Sequence, residues 1–207
     1  MTNIFDNYYR HYDKWYETNK WAYLSELEAV KKLIPKTVNG LEIGVGTGRF
    51  AEPLGIGVGV DVSEKMINIA KQRGVDARLG DGENLQFPSN TFDYVAVIVT
   101  ICFVKSPAKV IEETARVLKQ RGKVIIGVID KNSFLGEFYQ NEKKSVFYKY
   151  AKFFSIPEIT GLLGSAGFMK FSYCQTLFKC PTEMNTVDTP LDGYGRGGFV
   201  AVSAQKG

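Results

Sequence analysis

Leu41-Glu42-Ile43-Gly44-Val45-Gly46-Thr47-Gly48 sets three glycines at alternate positions directly behind a short apolar run. Glycine has no Cβ, so such a stretch can turn tightly and bring its backbone close to a ligand. A helix starting just behind the turn offers free N–H groups to an anionic part of that ligand. Glu42 stands where a dinucleotide fold has an apolar residue, and a buried carboxylate there is costly unless it is paired or hydrogen-bonded. Asp61 closes the next apolar run, where an acidic side chain can accept hydrogen bonds from both hydroxyls of a ribose. Asp81 follows the third run, where a carboxylate can accept from an adenine amino group. Together these residues spell binding of a nucleoside-bearing cofactor in the crevice at the carboxyl ends of parallel strands.

The elements needed to position them are legible. Strands are predicted at Leu41–Ile43, Ile56–Val60, Val75–Leu79, Phe92–Val99, Val124–Ile129, Phe168–Phe178 and Gly198–Ala204. Residues 21–34 form a helix with Tyr23, Leu27, Val30 and Ile34 on one face, stopped by Pro35. Ser63 caps a helix that turns Met66, Ile69 and Ala70 inward, with Gly74 past its end. Ser106-Pro107 opens a further helix carrying Ile111, Ala115 and Leu118, and Ser155-Ile156-Pro157-Glu158 has the form of a capping box. Alternation of strand and helix predicts an α/β fold with a mostly parallel sheet and helices on both faces. No helix separates the last two strands, so they should pair as an antiparallel hairpin at one edge.

Several of these segments match one family. Glu42 to Gly48 resembles motif I of the class I S-adenosylmethionine-dependent methyltransferases, and Val60-Asp61-Val62-Ser63 resembles their acidic ribose-binding step. Gly80-Asp81-Gly82-Glu83-Asn84-Leu85 with Phe87-Pro88 resembles the adenine segment, and Phe92-Asp93-Tyr94-Val95 the fourth-strand motif. Gln120-Arg121-Gly122 departs from the Pro-Gly-Gly common before strand five, a change confined to a turn. The likeness runs from about Tyr12 to Ala204. It implies a Rossmann-like seven-stranded sheet whose final strand is antiparallel, with S-adenosylmethionine over the first two strands. It also implies a cofactor-binding set of Glu42, Gly44, Val45, Gly46, Gly48, Asp61, Val62, Met66, Asp81, Gly82, Glu83, Val99 and Tyr12. An NAD-type oxidoreductase and a non-catalytic cofactor-binding module are the alternatives. The glycine spacing, Glu42 and the strand-hairpin ending count against the first.

The acceptor is less legible. Val99-Thr100-Ile101-Cys102 lacks the Asn-Pro-Pro-Tyr or Asp-Pro-Pro-Tyr of amino-methylating enzymes that act on nucleobases or glutamine. Cys102 also lacks the proline of the Pro-Cys nucleophile pair and reads as a packing residue. Eight aromatic residues fall in residues 1–23 and eight more in 131–154. That clustering makes residues 1–35 an expected helical lid and 131–154 an expected cap on one methyltransferase domain spanning 1–207. His11, the one histidine, is the candidate proton acceptor.

The 207 residues suffice for one ordinary core, and a net charge of +4 without a block of like charges argues against a nucleic-acid stripe. Cys102, Cys174 and Cys180 have no metal-type spacing; Cys174 and Cys180 should face the same way on one strand. There is neither a secretory signal pattern nor an apolar run of membrane-spanning length. These features predict a cytoplasmic enzyme with a small-molecule acceptor, no metal, and neither nucleic acid nor membrane as partner.

Overall fold

A computed structural model describes residues 2–37, 39–142 and 145–207. Eight strands form one sheet: β1 (Gly40–Ile43), β2 (Val58–Asp61), β3 (Asp76–Leu79), β4 (Phe92–Ile98), β5 (Leu118–Ile129), β6 (Phe168–Thr176), β7 (Leu191–Asp192) and β8 (Phe199–Lys206). Their order is β3-β2-β1-β4-β5-β8-β6-β7. Strands β1 to β5 are mutually parallel, and β8 runs antiparallel to both β5 and β6. The expected seven strands are therefore eight. The addition is β7, two exposed residues too short to carry a periodic signal.

The helices are α1 (Thr2–Thr18), α2 (Lys20–Lys31), α3 (Ala51–Leu54), α4 (Glu64–Gln72), α5 (Pro107–Val117), α6 (Phe134–Asn141) and α7 (Ile156–Ser165). Three of them begin as their caps dictate. Ser63, Ser106 and Ser155 accept from the backbone N–H of Met66, Lys109 and Glu158, and Glu158 completes the box at Ser155. Side chains alternate along β4 from Tyr94 on, so Tyr94, Ala96 and Ile98 join one core layer while Val95 and Val97 join the other; Phe92, before the irregularity in the pairing with β5, joins the second layer too. The first layer also takes Ala29 and Val30 of α2 and Ala70 of α4; the second takes Ile111 of α5 and Leu163 of α7.

Some boundaries moved. α2 ends at Lys31, short of Ile34; Leu27 and Val30 of the expected stripe are buried and Tyr23 packs against the core, but the buried face is wider and also takes in Ala22, Ser25, Glu26 and Ala29. β5 starts at Leu118, which the sequence pattern assigned to the helix. An irregularity in its pairing with β4, with Arg121 at φ 63°, absorbs the Gln-Arg-Gly turn into the strand. β6 stops at Thr176, so Cys180 lies in the following turn and does not share a strand face with Cys174. Met1 and residues 143 and 144, parts of the expected lid and cap, lie outside the described residues. Among the described residues no helix is long and apolar enough to cross a membrane.

Candidate active site

Parallel pairing brings the carboxyl ends of β1, β2, β3 and β4 to one edge, and the glycine turn leaves β1 there. Gly44 and Val45 donate to the Val60 carbonyl at 2.8 and 2.9 Å, so the turn is stitched to the neighbouring strand. Gly44 sits at φ 72° with the Thr100 side chain where a Cβ would point. No larger residue fits without moving Thr100.

Asp61 spans this turn. Its Oδ2 accepts from Gly46 N and its Oδ1 from Ser63 N, both at 2.9 Å. Burial raises its pKa, and the backbone donors oppose that rise. Each carboxylate oxygen keeps capacity for a second donor. Asp81 Oδ1 accepts from Glu83 N at 2.9 Å, and the carboxylate is exposed at the cavity edge.

A cavity of about 90 Å³ runs along these groups. Of the residues expected around a cofactor it is lined by Gly44, Gly46, Asp61, Val62, Met66, Asp81, Gly82, Val99 and Tyr12. Four others stand outside the lining. Val45 is buried against Gly59, and Gly48 allows the turn to pack closely on Ala70 of α4. Glu83 Oε1 accepts from Lys105 and Ser106 N at 2.8 and 3.0 Å, closing the start of α5. Glu42 lies beneath the turn, where Ala51 N–H reaches its carboxyl group while Oε2 has no hydrogen-bond partner among the described residues. Burial first, and then the Asp61 charge, push its pKa well above the carboxylate range. Ile43, Val60 and Gly80 of the strand ends also line it, as do Phe5, Thr100, Phe103 and Val104, four residues that nothing local in the sequence marks.

Helix α1 roofs the cavity. Ser63 Oγ donates to Asp6 Oδ1 at 2.6 Å, and Asp13 receives Arg49, Arg73 and the Thr47 hydroxyl. The Tyr12 ring stands where a Cβ on Gly46 would just touch it. Beyond Tyr12, Phe5, Val99 and Phe103 lies a second cavity of about 290 Å³, which shares those four residues as a wall. Aromatic side chains from α1 and from residues 131–154 enclose it, among them Trp15, Tyr139, Phe147 and Tyr148. Val99 is held at φ 49°, an uncommon state for a β-branched residue and a form of strain found at binding sites. His11 is on the rim of this cavity, exposed, with its ring stacked on Phe147 at 6.1 Å. The Cys102 thiol is pushed up to about 12 by burial, which leaves it protonated and a poor nucleophile.

The chain matches the methyltransferase-domain family over residues 41–126, the stretch holding the glycine turn, Asp61 and Asp81. A crystal structure from Thermotoga maritima, described as a SAM-dependent methyltransferase and possible histamine N-methyltransferase, is 46% identical and superposes with a TM-score of 0.98, covering 100% of both chains. The chain belongs to the class I S-adenosylmethionine-dependent methyltransferases. An uncharacterised protein of Methanocaldococcus jannaschii is 48% identical over 99% of each chain. A demethylmenaquinone methyltransferase of Oceanobacillus iheyensis is 28% identical, over 84% of this chain and 76% of its own. Membership displaces the oxidoreductase alternative. The residues present also fit the methyltransferase cofactor: two carboxylates with spare acceptor capacity end adjacent strands beside a turn that a Cβ at Gly44 would obstruct.

Proposed function

We propose that this methyltransferase acts on a small-molecule acceptor held in the aromatic cavity beside the cofactor site. The observation that carries the reading is the shared wall of Phe5, Tyr12, Val99 and Phe103 between the two cavities. The larger volume, about 290 Å³, is of the order of small-ligand sites. Among the described residues no lysine or arginine lines it, which suits an organic molecule better than a phosphate-rich nucleic acid. Relatives named for demethylmenaquinone and phosphatidylethanolamine methylation also take acceptors other than nucleic acid.

In this reading Asp61 holds the ribose hydroxyls, Asp81 the adenine amino group, and Gly44 and Gly46 admit the rest of the cofactor close to the backbone. The bound cofactor supplies an electrophilic methyl group on a sulfonium whose departure leaves a neutral thioether. The protein then has to orient the acceptor and exclude water. Tyr12 and Phe103 place ring faces where a cation is favoured. Residues 1–35 act as lid and 131–154 as cap on one domain. Three free cysteines suit a reducing cytoplasm.

Calorimetry with S-adenosylhomocysteine, followed by a metabolite panel scored for S-adenosylhomocysteine release, tests this. Cofactor binding with turnover of at least one small acceptor is expected. Submicromolar affinity for RNA or DNA with a steep salt dependence, and no turnover of metabolites, would overturn it.

A further inference from the structure

The larger cavity contains a carboxyl group that has no partner among the described residues. Glu26, on α2, is 3% exposed and lines the cavity, and no donor among the described residues bonds it. Burial alone pushes its pKa up to about 8. It shares the buried face of α2 with Ala22 and Ala29, where an apolar side chain would pack without the cost of desolvating an acid. Tyr12, Tyr16, Tyr139 and Tyr148 line the same cavity and lie close enough for the Glu26 charge to act on their hydroxyls. Burial, reinforced by Glu26 itself, keeps those phenols neutral. Cys180 and His11 stand elsewhere on the wall. The protein thus offers a buried acid inside a ring-lined chamber whose lining, among the described residues, includes no lysine or arginine. Burial keeps the carboxyl group protonated while it stands alone, and a ligand carrying a positive charge would pair with its ionised form.

We propose that the acceptor is an organic amine, bound as its ammonium between Glu26 and the aromatic walls of the larger cavity. This rests on the reading of that cavity as the acceptor site. Trp15, Phe147 and Tyr148 bring aromatic rings to the wall, and a π-system attracts a desolvated cation. Glu26 then serves a second purpose. One ammonium N–H bond breaks, its proton goes to a Glu26 oxygen, and its electron pair stays on nitrogen as the lone pair that methyl transfer requires. That lone pair forms the new N–C bond while the S–C pair stays on sulfur. The product leaves as a methylated ammonium, and Glu26 returns its proton to solvent.

Glu26 is largely protonated at pH 7 before the amine arrives, so forming the pair releases close to one proton. The full chain, saturated with S-adenosylhomocysteine, is titrated with 2-phenylethylamine and with 2-phenylethanol at pH 7, in two buffers of different ionisation heat. The amine should bind about tenfold tighter or better and release close to one proton. In Glu26→Gln both the preference and the proton release should vanish while S-adenosylhomocysteine affinity stays. Equal affinity for the two compounds, no amine binding at millimolar concentration, or proton release unchanged in the variant overturns the amine proposal alone. Absence of S-adenosylhomocysteine binding by the wild type overturns the methyltransferase-site reading and the proposal with it. The wild-type comparison decides even if the variant fails to fold.

Discussion

Asp13 on α1 and Arg73 just past α4, sixty residues apart, are joined by two hydrogen bonds of 3.0 and 2.9 Å. Arg73 also donates to the Thr47 carbonyl at 2.6 Å, and Arg49 donates to the same carboxylate at 2.8 and 2.7 Å. Helix α1, the glycine turn and the end of α4 therefore meet at one side chain. Arg73→Ala should cost about 2–3 kcal/mol of stability, the scale for hydrogen bonds to a charged acceptor. It should also weaken S-adenosylhomocysteine binding through the loosened lid. Urea unfolding and calorimetry measure both, and an unchanged cofactor affinity would detach the lid from the site.

The same carboxylate sets an acid limit. Burial raises the Asp13 pKa, but the Arg49 and Arg73 hydrogen bonds outweigh it and hold the group well below the usual carboxylate range. A depressed native pKa adds stability above the unfolded value near 4, and that stability is lost as pH falls from there. Asp13→Asn should be less stable than wild type at pH 7, with the gap narrowing below about pH 4. Thermal unfolding across pH 2–7 checks this.

Glu42 has the opposite sign. Its native pKa is raised, by burial and then by Asp61, so its protonated form is at ease in the fold and stability falls as pH climbs above about 4.3. Glu42→Gln keeps an acceptor for Ala51 N–H and removes the ionisation. Its melting temperature relative to wild type should rise steadily from pH 5 to pH 8. A pH-independent difference would show that Glu42 is not the group responsible.

Asp61→Ala should cost about 1.5–3 kcal/mol in cofactor binding, roughly ten- to 150-fold in affinity. Part of that loss is indirect, because Gly46 N–H gives up its acceptor. Calorimetry with S-adenosylhomocysteine reads it, and unchanged affinity would take the ribose role away from Asp61.

Gly44→Ala combines a left-handed φ of 72° with a collision against Thr100. Together these should cost about 2–4 kcal/mol and abolish detectable cofactor binding. In Gly44→Ala/Thr100→Ala the collision goes and the backbone strain stays, so stability should return only in part. Full recovery would place the whole cost in the collision.

What could be read from the sequence was what local chemistry writes. Ser63, Ser106 and Ser155 announce their helices because a cap acts within three residues. Gly44 and Asp61 announce the cofactor turn because strand ends and positive φ are local demands. Asp13 gave no such sign. Its meaning depends on Arg49 and Arg73, which only the fold brings to it. Glu26 was not singled out, because the cavity that it lines is built with side chains of α1 and of Phe138, Tyr139, Phe147 and Tyr148, far from it in sequence. A signal did exist: Glu26 falls four residues after Ala22 and three before Ala29, on a face of small residues. The order of β8 and β6 was equally hidden, since a hairpin pattern does not say which strand lies inside.

That order constrains how the chain assembles during synthesis. β6 pairs only with β7 and β8, and β8 is the element that joins it to β5. When Phe168–Thr176 leaves the ribosome, the parallel strands β1 to β5 can already be in register, but β6 has no sheet to enter. It must wait, with its backbone groups unpaired, until Phe199–Lys206 is delivered and slots between two strands made earlier. The nascent protein thus passes through an interval with two open strand edges, the state in which polypeptides are most prone to aggregate or to recruit a chaperone.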